Sequence, residues 1–245
     1  IVPNYALLQD NRYRRIWKSY REIIRRMDEQ DECWRWQHRL WSDFCRLLIQ
    51  IVLHVRPEFQ TVAESPLRIA PEQRRGHWSE VDAQSGVYIV HDENNAPVSV
   101  ASVLWDLTED HPKLGEWAAG LGAISVVHFQ QLKNGKESYL LIWPLHFFGE
   151  NSPGLFHIAE SSNRALQESS RSNSLTNDIV LTIEGLVMVS NFSAQLDGTE
   201  PARIREGSAV AARMSSRFGG IQEDANAIGT ILHSIAMRLS ELPND

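Results

Sequence analysis

The chain has 245 residues, of which 42% are hydrophobic, and its formal net charge is −7. This hydrophobic content supports a folded core in one large or two small domains, and it excludes a chain that is disordered throughout. The longest apolar stretch, residues 47–55, is interrupted by Gln50 and His54, which excludes a membrane-spanning helix.

The two cysteines indicate a reducing compartment. Cys33 and Cys45 are twelve residues apart in a helical stretch, so we expect no disulfide and a cytoplasmic setting. The sequence begins at Ile1 rather than at a methionine, and it shows no secretory signal. We therefore interpret it as a fragment or a processed product.

Positive charge is concentrated at the N-terminal end. Residues 1–60 carry 11 Lys or Arg and 8 Asp or Glu, whereas residues 61–245 carry 13 and 23. An acidic body repels phosphate, so any contact with nucleic acid would have to be local, made by the basic segment or by a partner subunit. The charge distribution therefore disfavours a general DNA-coating role.

Two helical patterns occupy the first 55 residues. Aromatic and apolar residues recur at helical spacing over residues 11–27 and again over residues 31–55. The acidic residues 28–32 lie between the patterns, where they suit the start of the second helix. The sequence predicts either two antiparallel helices or one long helix with a bend, ending before Pro57.

The sequence predicts three structural regions. We predict a helical arm over residues 1–60, a connecting segment with short structured pieces over residues 61–85, and an α+β body over residues 86–245. The first half of the body is expected to be mainly antiparallel sheet and the C-terminal half an α/β portion.

Two hairpins are predicted in the first half of the body. Apolar, β-rich runs at residues 87–90 and 98–104 flank a polar turn, and runs at residues 124–129 and 139–145 flank an Asn-Gly turn. Asn-Gly between such runs is a strong hairpin signal. A loop or short helix is expected over residues 105–122, between the hairpins.

The C-terminal half predicts helices on either side of a buried strand. A proline in the first turn favours a helix over residues 152–167, followed by a polar loop over residues 169–177. Residues 179–189 indicate a buried strand bent at Gly185. An apolar stripe predicts a final helix over residues 222–239.

One pattern suits a metal-dependent nuclease. Asp106 ends one predicted strand, and Gln131 and Lys133 end another. An acidic residue on one strand and a Gln-x-Lys on the next can hold Mg²⁺ and position the attacking water. Lys133 also adjoins the predicted Asn-Gly turn, where it can equally be a solvated hairpin residue.

Other enzyme signatures are absent from the sequence. There is no phosphate-cradling glycine loop, no Gly-x-Ser-x-Gly elbow and no His-Glu-x-x-His motif. Three histidines fall on predicted strands, namely His91, His128 and His146, and the last two lie on opposite arms of one hairpin. They can converge on a metal ion or be satisfied by backbone groups, and the second interpretation is favoured.

The N-terminal arm supplies the candidate binding residues. They are Arg12, Arg14, Arg15, Trp17, Lys18, Arg21 and Trp36. Arginines interleaved with aromatic rings can contact phosphates and stack on bases. Equally, they can pair with acidic residues and solvate an amphipathic helix. Trp36 lies off the helix face shared by Trp34 and Trp41, which is typical of an interface residue.

The segments 11–17 and 34–41 resemble the helical segment of McrC-like proteins. Those proteins accompany McrB-like motor ATPases or GTPases in prokaryotic restriction and antiphage defence loci, and the resemblance covers about residues 11–56. They usually add a nuclease domain with an acidic-x-Lys centre, of which Asp106 with Gln131 and Lys133 is a degenerate form. The resemblance implies an adaptor or recognition module.

These patterns predict a non-catalytic interaction module of a nucleic-acid-processing complex, such as a restriction or antiphage defence complex. It would contact nucleic acid or a partner subunit through the arm, with no cofactor and no membrane contact. Two alternatives stay open. One is a Mg²⁺-dependent nuclease, and the other is an oligomerisation scaffold that forms homo-oligomers.

Overall fold

A computed structural model shows how these elements pack. It describes residues 11–63, 69–72, 77–80, 86–104, 122–146, 154–172, 182–190, 203–214 and 220–241. The helices are α1 (Asn11–Val55), α2 (Leu155–Ser172) and α3 (Ile221–Glu241). The strands are β1 (Phe59–Ala63), β2 (Ile69–Glu72), β3 (His77–Glu80), β4 (Gly86–His91), β5 (Pro97–Leu104), β6 (Ser125–Gln131), β7 (Glu137–Leu145), β8 (Thr182–Ser190), β9 (Arg203–Glu206) and β10 (Ala209–Met214).

Eight strands form one mixed sheet in the order β1-β4-β5-β6-β7-β8-β10-β9. Neighbours from β1 to β7 are antiparallel, β8 is parallel to both β7 and β10, and β9 is antiparallel to β10. Parallel neighbours need a crossover connection, and α2 lies in the crossover from β7 to β8. The predicted α+β class is confirmed.

Each face of the sheet carries its own hydrophobic core. On one face, the end of α1 from Trp41 onward and α3 pack against side chains such as Phe129, Leu140 and Leu186. On the other face, α2 packs against side chains such as Leu141 and Val187. β7 is buried on both faces through most of its length, which explains why its sequence is almost continuously apolar.

The helix α1 is a single unbroken helix, so the alternative of two antiparallel helices is wrong. The acidic residues 28–32 lie inside it and do not end it. Continuity also brings the two apolar patterns into one register, in which the spacing alternates between three and four residues. The stripe comprises Trp17, Tyr20, Ile24, Met27, Asp31, Trp34, His38, Trp41, Cys45, Leu48 and Val52.

The chain divides into two compact units, Ile1–Leu40 and Trp41–Asp245. The division falls within the arm that the sequence predicts over residues 1–60. From Trp41 the stripe of α1 is buried in the core of the second unit, whereas from residue 12 to residue 40 only Trp17 and Gln37 are half-buried among the side chains that are described.

The predicted hairpins are confirmed as β4-β5 and β6-β7. In the first turn, Asn95 has a φ of 61°, and the side chain of Asp92 accepts hydrogen bonds from the backbone N–H groups of Asn94 and Ala96. In the second turn, Gly135 has a φ of 69°. The loop or short helix expected over residues 105–122 lies almost entirely outside the described residues.

The C-terminal elements follow the prediction with shifted ends. α2 continues to Ser172, through the start of the predicted polar loop, whose remainder at residues 173–177 lies outside the described residues. Gly185 keeps regular pairing with Leu141 and Ala209, so no bulge interrupts β8 at the position of the expected bend. Among the described residues, no helix combines the length and apolar character needed to cross a membrane.

Candidate interaction surface on the N-terminal helix

Four of the predicted binding residues share one strip of α1. An open groove of about 880 Å³ follows this strip, and its walls include Arg14, Trp17, Lys18 and Arg21. The ring of Trp17 stacks on that of Tyr20, with centroids 5.4 Å apart and planes inclined at 27°. The structure therefore brings basic groups and a pair of stacked aromatic rings together on one exposed surface.

An apolar face runs beside this strip. It consists of Ile16, Tyr20, Ile23, Ile24 and Met27, whose spacings of four, three, one and three residues place them on one side of a helix. Ile16 is 66% exposed, Ile23 57% and Met27 56%. Soluble proteins rarely leave such a contiguous apolar patch open to water unless it binds something. We call this set the apolar face.

Basic residues form a row on another side of α1, roughly 150° around the helix from the centre of the apolar face. Arg14, Lys18, Arg21 and Arg25 are spaced four, three and four residues apart, so they form one row along the helix. Arg25 forms an exposed ion pair with Glu29 at 3.4 Å, which is worth little in water. This pair therefore leaves the charge of Arg25 available to an incoming partner. We call these four residues the basic row.

The remaining predicted residues of the arm lie elsewhere. Arg15 is two positions before Trp17, which places it on the far side of the helix. Trp36 is 36% exposed, and it lies nineteen residues beyond Trp17, about 28 Å along the helix axis. Arg12 is exposed one turn before the apolar face. The seven residues predicted for the arm therefore do not form one site.

The nuclease pattern does not assemble among the described residues. Gln131 is 3% exposed at the end of β6, whereas Lys133 is exposed in the turn that follows. Asp106 lies outside the described residues. Within the described ranges, no group of three or more His, Cys, Asp or Glu side chains is arranged to hold a metal ion.

The histidines of the β6-β7 hairpin do not converge. His128 pairs with Tyr139 across the hairpin. His146 lies seven residues beyond Tyr139, which is about 23 Å in an extended strand. The Nδ1 atom of His146 instead hydrogen bonds to the hydroxyl of Ser190, and its ring stacks on Trp41. The structure therefore gives these two histidines separate partners.

Sequence reasoning missed two polar clusters in the second unit. In the first, Tyr139 donates a 2.9 Å hydrogen bond to Glu137 and stacks on His128 with centroids 4.6 Å apart. Burial, and then the hydrogen bond to Glu137, raise the pKa of Tyr139 well above its ordinary value, so it stays a neutral donor. The sequence did contain a signal for this cluster. Glu137 and Tyr139 are two positions apart on β7, so they share the face of the strand that lies opposite His128.

The second cluster surrounds Glu184 of β8, which is 5% exposed. Its carboxylate accepts hydrogen bonds from Arg205 of β9 at 2.9 Å and from Arg238 of α3 at 2.7 Å. The three residues are separated by 21 and 33 positions, so no local pattern could have predicted the cluster. It ties the edge of the sheet to α3.

No family model, curated protein or solved structure matches the chain.

Proposed function

We propose that the chain is a non-catalytic recognition module of a nucleic-acid-processing complex, of the kind that serves restriction or antiphage defence, and that it docks through α1. One observation carries the proposal: the apolar face is exposed along the first half of an unbroken helix. A partner that covers this apolar surface removes it from water, and this lowers the free energy of the complex.

The kind of contact follows from the exposed apolar side chains. An amphipathic helix binds by laying its apolar face into a hydrophobic groove of a partner. The basic row lies on another side of α1, so such a partner leaves the row uncovered. A partner subunit with a hydrophobic groove therefore accounts for the apolar face.

Nucleic acid is the second ligand that the proposal includes. The stacked rings of Trp17 and Tyr20 lie beside Arg14, Lys18 and Arg21, which is the combination that contacts bases and phosphates in single strands. The isoleucines of the apolar face have no role in such binding. The resemblance to McrC-like proteins supports a setting in which a partner subunit and nucleic acid are both present.

The proposal places the chain in the cytoplasm. Cys33 and Cys45 are both free thiols, as is usual in a reducing compartment.

Two sets of substitutions separate these contacts. The first set changes Arg14, Arg15 and Arg21 to Glu and reverses the charge of these three positions. The second set changes Ile23 and Ile24 to Ser and interrupts the apolar face. Arg164→Glu on α2 is the matched control, because Arg164 is an exposed helical arginine with an i,i+4 carboxylate partner. Circular dichroism establishes that every variant is folded.

The measurements are affinity capture of a partner from the native cells and fluorescence anisotropy with labelled single- and double-stranded DNA and RNA. Anisotropy is followed over a salt series with Mg²⁺ present, and gels record any cleavage. We expect the isoleucine changes to abolish partner capture and the arginine changes to weaken nucleic acid binding and reduce its salt dependence. The proposal is wrong if both sets leave every interaction intact, and cleavage by the wild type would instead favour the nuclease alternative.

The oligomerisation scaffold remains a second candidate because of the stripe on α1. Spacing that alternates between three and four residues is typical of coiled coils, and the part from Trp17 to His38 is outside the core of the second unit. A homo-oligomer would bury this part between copies. Light scattering coupled to size exclusion decides the matter, because a monomer at micromolar concentration contradicts the scaffold.

A further inference from the structure

The strand β9 lies at the edge of the described sheet, beside a helix. β9 pairs with β10 on one side, and no described strand pairs with its other side. Alternation along β9 sends Ile204 into the core beneath α2, whereas Arg203 and Arg205 face α3. Unpaired N–H and C=O groups at a sheet edge can bind another extended chain.

A groove of about 350 Å³ lies between this edge and α3. Its walls are Arg203 and Arg205 on the strand side and Thr230 and Ser234 on the helix side, with Ile204, Val210 and Ile231 also lining it. Both hydroxyls donate to carbonyls of their own helix, at 2.9 Å from Thr230 to Asn226 and 2.8 Å from Ser234 to Ile231. Their lone pairs still accept hydrogen bonds from a ligand.

The charge around this groove is positive. Glu184 is the only carboxylate that contacts Arg205 or Arg238 among the described residues, so one negative charge faces two positive charges. Arg203 is exposed and forms no ion pair with any described residue. The groove therefore presents an excess of guanidinium groups beside a strand edge, which favours a carboxylate ligand.

We propose that this groove binds an extended acidic segment of a protein partner, which adds a strand to β9 and directs alternate carboxylates at Arg203 and Arg205. Side chains of an extended peptide point to the same face at every second position, which is also the spacing of the two arginines. Nucleic acid fits the groove less well because none of the described residues that line it has an aromatic side chain for base stacking. The proposal is independent of the docking proposed for α1.

The test uses the full chain and a fluorescein-labelled peptide with the alternating sequence Val-Glu-Val-Glu-Val-Glu, followed by fluorescence anisotropy. A peptide with Gln in place of Glu is the ligand control. We expect Arg203→Glu to weaken binding of the acidic peptide by about tenfold or more, since it turns an attraction into a repulsion. Arg164→Glu, on the opposite side of the sheet, should leave binding unchanged.

A second variant separates the groove from general electrostatic attraction. Thr230→Trp fills the groove without changing its charge, and Thr230 is exposed, so we expect the protein to stay folded and lose peptide binding. Binding that survives both Arg203→Glu and Thr230→Trp, or that responds equally to Arg164→Glu, overturns the proposal. So does a single-stranded oligonucleotide that binds more tightly than the peptide and is displaced by it.

Discussion

The indole ring of Trp143 on β7 occupies the space that a side chain at position 185 on β8 would need. A Cβ built on Gly185 would lie 2.9 Å from Cη2 and 3.0 Å from Cε3 of Trp143, and nearer still to Cζ3. Trp143 is only 9% exposed, so its rigid ring cannot move into solvent. Packing against Trp143 therefore requires glycine at 185.

We expect Gly185→Ala to destabilise the fold by about 1 to 3 kcal/mol, the usual cost of overpacking a core. Chemical denaturation measures the loss. Trp143→Leu removes the ring that creates the clash, so Gly185→Ala should cost far less in that background. Equal costs in both backgrounds would show that the two residues do not interact.

Trp41 anchors α1 to the sheet through its indole. Its Nε1 donates a 3.0 Å hydrogen bond to the carbonyl of Met188, and its ring is 7% exposed. Trp41→Phe removes the donor of this buried hydrogen bond and leaves space where the larger indole packed, so we expect a loss of about 1 to 3 kcal/mol. Trp34→Phe is the control, because Trp34 is 51% exposed, and it should leave the denaturation midpoint almost unchanged.

Glu184 joins two arginines from different elements, and its removal should leave both without their shared counterion. Arg205 and Arg238 are 37% and 43% exposed, so solvent screening reduces the cost. We expect Glu184→Gln to destabilise the protein by about 1 to 2 kcal/mol. Glu160→Gln removes an exposed helical pair with Arg164, and a comparable loss there would contradict the special role of Glu184.

The two thiols should differ sharply in reactivity. Cys33 is exposed and Cys45 is buried, so we expect one fast and one slow reaction with a thiol reagent such as Ellman's reagent. The slow reaction should proceed only through unfolding. In Cys33→Ser the fast phase should vanish, and two fast phases in the wild type would contradict the burial of Cys45.

Stability should also fall in mild alkali because of Cys45. Burial raises the pKa of this thiol well above its ordinary value, with a smaller opposing effect of Arg46. The unfolded chain therefore releases the proton before the folded protein does, and the contribution to stability is lost as pH rises above about 8.5. Denaturation at pH 7.5 and 9.5 should show a smaller decline in Cys45→Ala than in the wild type.

The sequence predicted the elements whose signals are local. The hairpins β4-β5 and β6-β7 combine alternating apolar residues with turns that have recognisable turn residues. In the first turn, for example, the side chain of Asp92 accepts hydrogen bonds from two backbone N–H groups. The stripe of α3 likewise predicts a helix from its own spacing. Such elements need no information from distant residues.

Other features depend on partners far along the chain. β9 and β10 complete a sheet whose other strands precede them, and they were not predicted although Gly207-Ser208 between them is a two-residue hairpin turn. The cluster at Glu184 arises from three separate elements. The strip on α1 was predicted only in part, because Arg15 occupies another face of the helix and Trp36 lies about 28 Å further along it.

The hydrogen bond from Trp41 to Met188 joins residues that are 147 positions apart. Ribosomes add about 5 to 20 residues each second, so the anchor of α1 would wait roughly 7 to 30 seconds for its acceptor to be synthesised. During that interval the apolar side chains of Cys45, Leu48 and Val52 have no completed core to enter. The nascent chain therefore exposes an apolar, aggregation-prone helix early in translation. The yield of folded protein in cells should respond to chaperones that bind such segments during translation.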